Sequence, residues 1–149
     1  MRNRRKNRHA FTLVELLVVV AIITMLAGMV SAAAMSARRR AAVTKAKSLI
    51  ATLETAIAMY ESDTGKYPES GMAQLITELQ GPSGARGWDG PYMRFKQDDL
   101  EGGVLIDSWG EPIEYSAPGG ADHDHQHYFD LRSKGLDREA GSADDLVNW

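Results

Sequence analysis

A single apolar run near the amino terminus constrains this chain more than any other feature. Arg2, Arg4, Arg5, Lys6 and Arg8 precede the segment Phe11 to Val30, FTLVELLVVVAIITMLAGMV, which holds one charged residue, Glu15, and no proline. Twenty helical residues rise about 30 Å, the thickness of a bilayer's hydrocarbon layer. The twelve Leu, Ile, Val and Phe residues of the run favour insertion by roughly 4 to 7 kcal/mol, against a cost of about 2.5 to 3.5 kcal/mol for Glu15. Insertion wins, so the sequence predicts a membrane-spanning helix whose basic leader stays in the cytoplasm. An ordinary secretory signal cut around Ala32, Ala33 and Ala34 is the competing reading. Against it stand the length of the run, the presence of Glu15 and a helical pattern that continues without a turn signal.

What remains is enough for one ordinary domain, since the whole chain has 149 residues. Charge divides unevenly. Residues 1–40 carry eight Lys or Arg against one Glu, and residues 41–149 carry nine against nineteen Asp or Glu. The acidic remainder repels nucleic acid. With no cysteine, disulfides, thiol catalysis and thiolate zinc sites are excluded. Arg38, Arg39 and Arg40 lie just beyond the membrane exit, as a collar at lipid headgroups or as a subunit contact. The five bases of the leader outnumber these three, which sets the orientation.

No Gly or Pro interrupts Ser31 to Ser62, so the membrane helix is expected to continue into the soluble part. Val43, Ala46, Ile50, Leu53, Ile57 and Tyr60 recur at spacings of three and four, a stripe that should pack on a sheet. Gly65, in DTGKYPESG, suits the helix stop, and Met72 to Gln80 reads as a short second helix. Beyond it, Tyr92–Phe95, Val104–Ile106, Ile113–Tyr115 and Tyr128–Leu131 are rich in β-formers and alternate with turn residues. They predict a small antiparallel sheet. The Gly-Pro and Gly-Gly connections are turn chemistry, and no GxGxxG or P-loop is present.

Glu15 needs a partner, because an isolated carboxylate in hydrocarbon is costly; the bland solution is a neutral Glu near the interface. The Ala10-Phe11 junction lies where the charged leader meets the apolar run. A cut there would free an α-amine on Phe11, mostly protonated at neutral pH and able to pair with Glu15 of a neighbouring subunit. The string AFTLVELLVVVAII resembles the class III signal of type IV pilins and type II secretion pseudopilins. The resemblance implies that a prepilin peptidase cleaves between Ala10 and Phe11 and methylates Phe11, and that Glu15 guides filament assembly. The family prefers Gly before the cut, where this chain has Ala10. TGKYP, GWDGPYM and DSWGEPIEYSAPG are similar to phrases of the G-type major pseudopilins, where they form the turn, loop and hairpin over the long helix.

The tail, SKGLDREAGSADDLVNW, gathers Asp137, Asp144 and Asp145 among Gly and Ser. Carboxylate and carbonyl oxygens on a Gly-bearing loop suit calcium, although the EF-hand spacing is missing and a bare acidic loop is more often simply solvated. The major pseudopilin family ends in a similar phrase and binds calcium there. On the matching positions Asp137, Asp144 and Asp145 would give carboxylates, and Lys134 and Glu139 main-chain carbonyls. Calcium would then fasten a tail that has no disulfide. His123, His125 and His127 in DHDHQH fall on one face if extended, but no second ligand set or HExxH base accompanies them, which favours a solvated hairpin over zinc or catalysis.

Together these expectations describe an α+β fold of the type IV pilin-like class: a long amino-terminal helix, membrane-spanning in its first half, packed on a small antiparallel sheet with a carboxyl-terminal calcium-type loop. The expected divisions are a cleaved cytoplasmic leader (1–10), a transmembrane or filament-core helix (11–34), its amphipathic continuation (35–64) and a periplasmic globular region (65–149). The resemblance implies a non-enzymatic subunit that polymerises in a periplasmic pseudopilus driving export of folded proteins across the outer membrane. Implied partners are copies of itself, minor pseudopilins, an inner-membrane platform protein, a secretion ATPase and the prepilin peptidase. The alternatives are a type IV pilin for adhesion, motility or DNA uptake, and a membrane-anchored metal-dependent enzyme using the histidines.

Overall fold

The computed structural model describes residues 12–82, 84–120 and 128–149. It divides into two units, one ending at Arg40 and the other running from Ala41 to Trp149. Helix α1 (Leu13–Thr64) contributes to both.

The first unit takes in the first part of α1. Each side chain described between Thr12 and Arg40 is exposed, including Leu13 at 79% and Met25 at 72%. Its most apolar window has a mean hydropathy of 2.7, and the helix is long and apolar enough to cross a membrane. The hydroxyls of Thr24 and Ser31 donate to the carbonyls of Ala21 and Ala27, at 2.9 and 2.8 Å, so their polarity is satisfied inside the helix. Such internal bonding lets Ser and Thr enter lipid at little cost.

The second unit holds the core. Ala46, Ile50, Leu53, Ile57 and Tyr60 are buried, as their spacing predicts, and Val43 is half-buried. Packed against Ile50, Leu53, Ile57 and Tyr60 are Met72, Leu75 and Leu79 of α2 (Met72–Gln80), together with Leu105, Ile113, Tyr115, Phe129 and Leu131. Helix α1 stops where expected: Gly65 takes a φ of 72°, and its N–H donates to the Glu61 carbonyl at 2.8 Å. Strands β1 (Leu100–Glu101) and β2 (Val104–Leu105) form a hairpin in which Leu100 faces Leu105. Gly102 and Gly103 both have positive φ at its two-residue turn, which a right-twisted hairpin of this length requires. Strands β3 (Glu114–Ser116), β4 (Asp130–Ser133) and β5 (Leu146–Val147) make a three-stranded antiparallel sheet in that order. Tyr115 reaches out of β3 to donate to the Pro68 carbonyl at 2.9 Å, and burial pushes its phenol up from its ordinary value.

Three strand expectations need correction. Tyr92–Phe95 is not a strand, because the segment bonds to a helix end: the Tyr92 and Met93 amides both donate to the Leu79 carbonyl. This strap is fixed by Trp88, whose indole N–H donates to the Glu78 carbonyl at 2.9 Å, and by the Tyr92 hydroxyl, which donates to Asp63 at 2.9 Å. The third and fourth expected strands lie one and two residues further along, at β3 and β4. Finally, β5 lies inside the tail read as a loop.

Candidate functional sites at the helix start and the acidic loop

Ala10 and Phe11 lie outside the described residues. Glu15 does not, and its carboxylate closes a reciprocal cap at the start of α1. The Thr12 amide and hydroxyl both donate to Glu15 Oε2 at 3.3 Å, while the Glu15 amide donates to Thr12 Oγ1 at 3.2 Å. This is a capping box, which satisfies amides that the first helical turn leaves open. A carboxylate offers about four lone-pair sites, so the cap leaves Glu15 able to take a cation as well. Thr12 thereby joins Glu15 at this site, a role that the hydropathy of the run does not reveal. Its signal, a Thr three residues before a Glu and next to an apolar run, stands in the sequence as TLVE.

The acidic loop leaves β4 at Ser133 and returns to β5 at Leu146. Asp144 organises it: Oδ2 accepts from the Leu136 and Asp137 amides at 2.7 and 3.2 Å, and Oδ1 accepts from the Ser142 hydroxyl at 2.9 Å. The Ser142 hydroxyl holds the Asp144 carboxyl down to about 2, and the two amides and the Asp137 carboxyl add to the effect against an opposing desolvation. Asp145 takes the Gly141 amide at 2.8 Å and shares Ser142 at 3.2 Å, and Asp137 takes the Glu139 amide at 2.9 Å. The backbone of Asp144 passes so close to Gly135, φ 71°, that a Cβ there would stand 2.4 Å from the Asp144 carbonyl oxygen.

The structure therefore brings Asp144 together with Asp137 directly and with Asp145 through Ser142. Among the described residues no three acidic or histidine side chains are gathered as a metal-holding group. The carboxylates are instead turned onto the amides of their own loop. Their chemistry still fits a hard cation, because the donors are all oxygen and calcium accepts carboxylates and carbonyls in flexible geometry. Lys134 and Glu139 lie on the same loop, the former with its ammonium 3.6 Å from Glu114. His123, His125 and His127 lie outside the described residues.

The loop is docked on the turn between Asp107 and Pro112, a contact between two distant strings of the sequence. Asp107, which is buried, accepts the Trp109 and Glu111 amides on Oδ1 at 2.8 and 3.0 Å and the Ser133 hydroxyl on Oδ2 at 2.6 Å. Arg138 donates to the Trp109 carbonyl at 2.9 Å. Asp107 carries no site signal in the sequence, because its partner Ser133 is 26 residues away, beyond any local pattern.

The family model for type II secretion system (T2SS), protein G, matches residues 33–149. The chain belongs to the type II secretion system protein G family. The prokaryotic N-terminal methylation motif matches residues 5–31. Relatives include the type II secretion system core protein G of Pseudomonas aeruginosa, 33% identical over 98% of each chain. That of Aeromonas hydrophila is 35% identical over 98% of this chain and 95% of the relative, and that of Escherichia coli K12 is 34% identical over 100% and 95%. The crystal structure of the major pseudopilin from the type 2 secretion system of enterohaemorrhagic Escherichia coli aligns with a TM-score of 0.48 at 23% identity, over 77% of this chain and 92% of that chain. The family rests on the sequence matches. A protein G of this family is a component of a multi-subunit secretion assembly, and the apolar first part of α1 is its inner-membrane anchor.

Proposed function

We propose that this type II secretion major pseudopilin works by polymerising, with no catalytic step of its own. The observation that carries the reading is the bare apolar helix of the first unit, exposed along its described length in a family protein. Such a face is covered by lipid before assembly and by the helices of neighbouring copies after it. Cleavage between Ala10 and Phe11 frees an α-amine, which N-methylation keeps basic and which meets Glu15 of a neighbour, so neither charge is buried alone. The Thr12 cap supports this role by holding the Glu15 carboxylate at the very start of the helix. The subunit is a single-pass inner-membrane protein with its amino terminus in the cytoplasm and its globular unit in the periplasm. The prepilin peptidase processes it, and the ATPase and platform protein extract it into a periplasmic filament with minor pseudopilins, which pushes folded cargo through the outer membrane. The test is Glu15→Ala in the secreting host. Membrane insertion should stay intact while filaments and secretion fall at least tenfold; normal filaments would remove the charge pairing.

The acidic loop is proposed to hold calcium through the Asp137, Asp144 and Asp145 carboxylates and the Lys134 and Glu139 carbonyls. All-oxygen donors on a short loop support this. Bound calcium would supply the cross-link that a cysteine-free tail lacks. Calcium at one hundred times its Kd should raise the stability by about 2.7 kcal/mol, seen as a higher melting temperature that Asp144→Ala abolishes. An unchanged melting curve would remove calcium from the account.

A further inference from the structure

Among the described residues, Arg138 alone of the non-glycine residues has a positive φ, 63°. It stands between Asp137 and Glu139 in the acidic loop. A left-handed backbone disfavours an L residue by roughly five- to thirty-fold in an equilibrium constant, and it persists only where surrounding contacts impose it. The flanking amides are bound within the loop, that of Asp137 to Asp144 and that of Glu139 to Asp137, and the contacts that reach outside it belong to the Arg138 side chain. Arg138 Nη2 donates to the Trp109 carbonyl at 2.9 Å, and Nε lies 3.7 Å from Glu111 Oε1. The turn they grip is itself fixed, because Asp107 binds the Trp109 and Glu111 amides and the Ser133 hydroxyl. The loop is thus attached twice: at its root through Ser133 and at its tip through Arg138.

We propose that Arg138 is a positioning residue, a latch that holds the acidic loop on the Asp107–Pro112 turn and so presets Asp137 and Glu139, on either side of it, before a cation arrives. An exposed ion pair alone contributes little. The latch joins that pair to a hydrogen bond whose acceptor, the Trp109 carbonyl, lies in the turn that Asp107 ties down, which holds the guanidinium and with it the backbone. The cation step rests on the calcium reading above; the latch does not.

The experiment is hydrogen exchange of the full-length chain in detergent micelles with a chelator present. It follows the Leu136, Asp137, Glu139 and Gly141 amides, each of which donates to a loop carboxylate. Arg138→Ala should speed their exchange by about three- to ten-fold and Glu111→Gln, which keeps the Trp109 bond, by about two- to three-fold, with Arg138→Lys between Arg138→Ala and the unmutated chain and the global melting temperature nearly constant. Arg138→Gly, which relieves the backbone while cutting the latch, should exchange more slowly than Arg138→Ala. Calorimetric titration with calcium chloride should show the Kd of Glu111→Gln rising by the same factor. Exchange in Arg138→Ala equal to the unmutated chain would overturn the proposal, and so would faster exchange with an unchanged calcium Kd. If the unmutated chain binds no calcium while the variants still speed exchange, the calcium reading fails and the latch stands.

Discussion

Gly135 offers the sharpest test of how the acidic loop is built. Replacing it with Ala has two separable costs. The residue sits at φ 71°, and holding an L residue there costs roughly 1–2 kcal/mol. The new Cβ would also lie 2.4 Å from the Asp144 carbonyl oxygen and 2.7 Å from its carboxylate, an overpacking that costs roughly 1–3 kcal/mol. Gly141, in the same loop at φ 85°, is the control: nothing lies within 4 Å of a Cβ there, so only the backbone cost applies. At roughly 4 °C per kcal/mol for a unit of this size, Gly141→Ala should lower the melting temperature by roughly 4–8 °C and Gly135→Ala by roughly 8–20 °C. The assay is thermal unfolding of the full chain in detergent with a chelator, so that bound metal does not mask the difference. Equal shifts for the two variants would mean that Asp144 does not press on Gly135, and the described loop closure would be wrong.

Two further perturbations address the core and the titration. Leu53→Ala, at a position 0% exposed, should destabilise by about 2–5 kcal/mol in urea unfolding without changing the slope. Met59→Ala on the opposite face, 51% exposed, should stay within about 0.5 kcal/mol. Asp144, whose carboxyl is lowered to about 2, contributes stability that is fully present above its ordinary pKa near 3.8 and is lost as pH falls towards 2. Acid unfolding followed by circular dichroism should therefore shift to higher pH in Asp144→Ala, and an unshifted curve would contradict the hydrogen bonds assigned to this group.

Much of the candidate chemistry was legible because its signals are local. TLVE carries its capping box within four residues, inside an apolar run whose stronger signal is the membrane span. The acidic residues of the tail were visible as ligand types. Their arrangement was not, because whether three carboxylates converge depends on how Ser142 and the loop amides compete for them. Tyr92–Phe95 has strand-forming residues and yet forms a strap, since the acceptor that meets its amides is the Leu79 carbonyl at a helix end. β-propensity describes what fits a pleated surface and leaves the hydrogen-bond partner undetermined.

The chain's own order of residues determined the membrane run, the unbroken helix, its buried stripe and its glycine stop, because hydropathy, periodicity and left-handed tolerance act over a few neighbouring residues. Only the tertiary structure decided that β5 closes the tail against β4, that Asp107 accepts from Ser133, and that Arg138 reaches Trp109 across 29 positions. Those contacts join segments that share no local pattern. Their free energy depends on which backbone groups remain unpaired once the core has folded, which no short window of sequence contains.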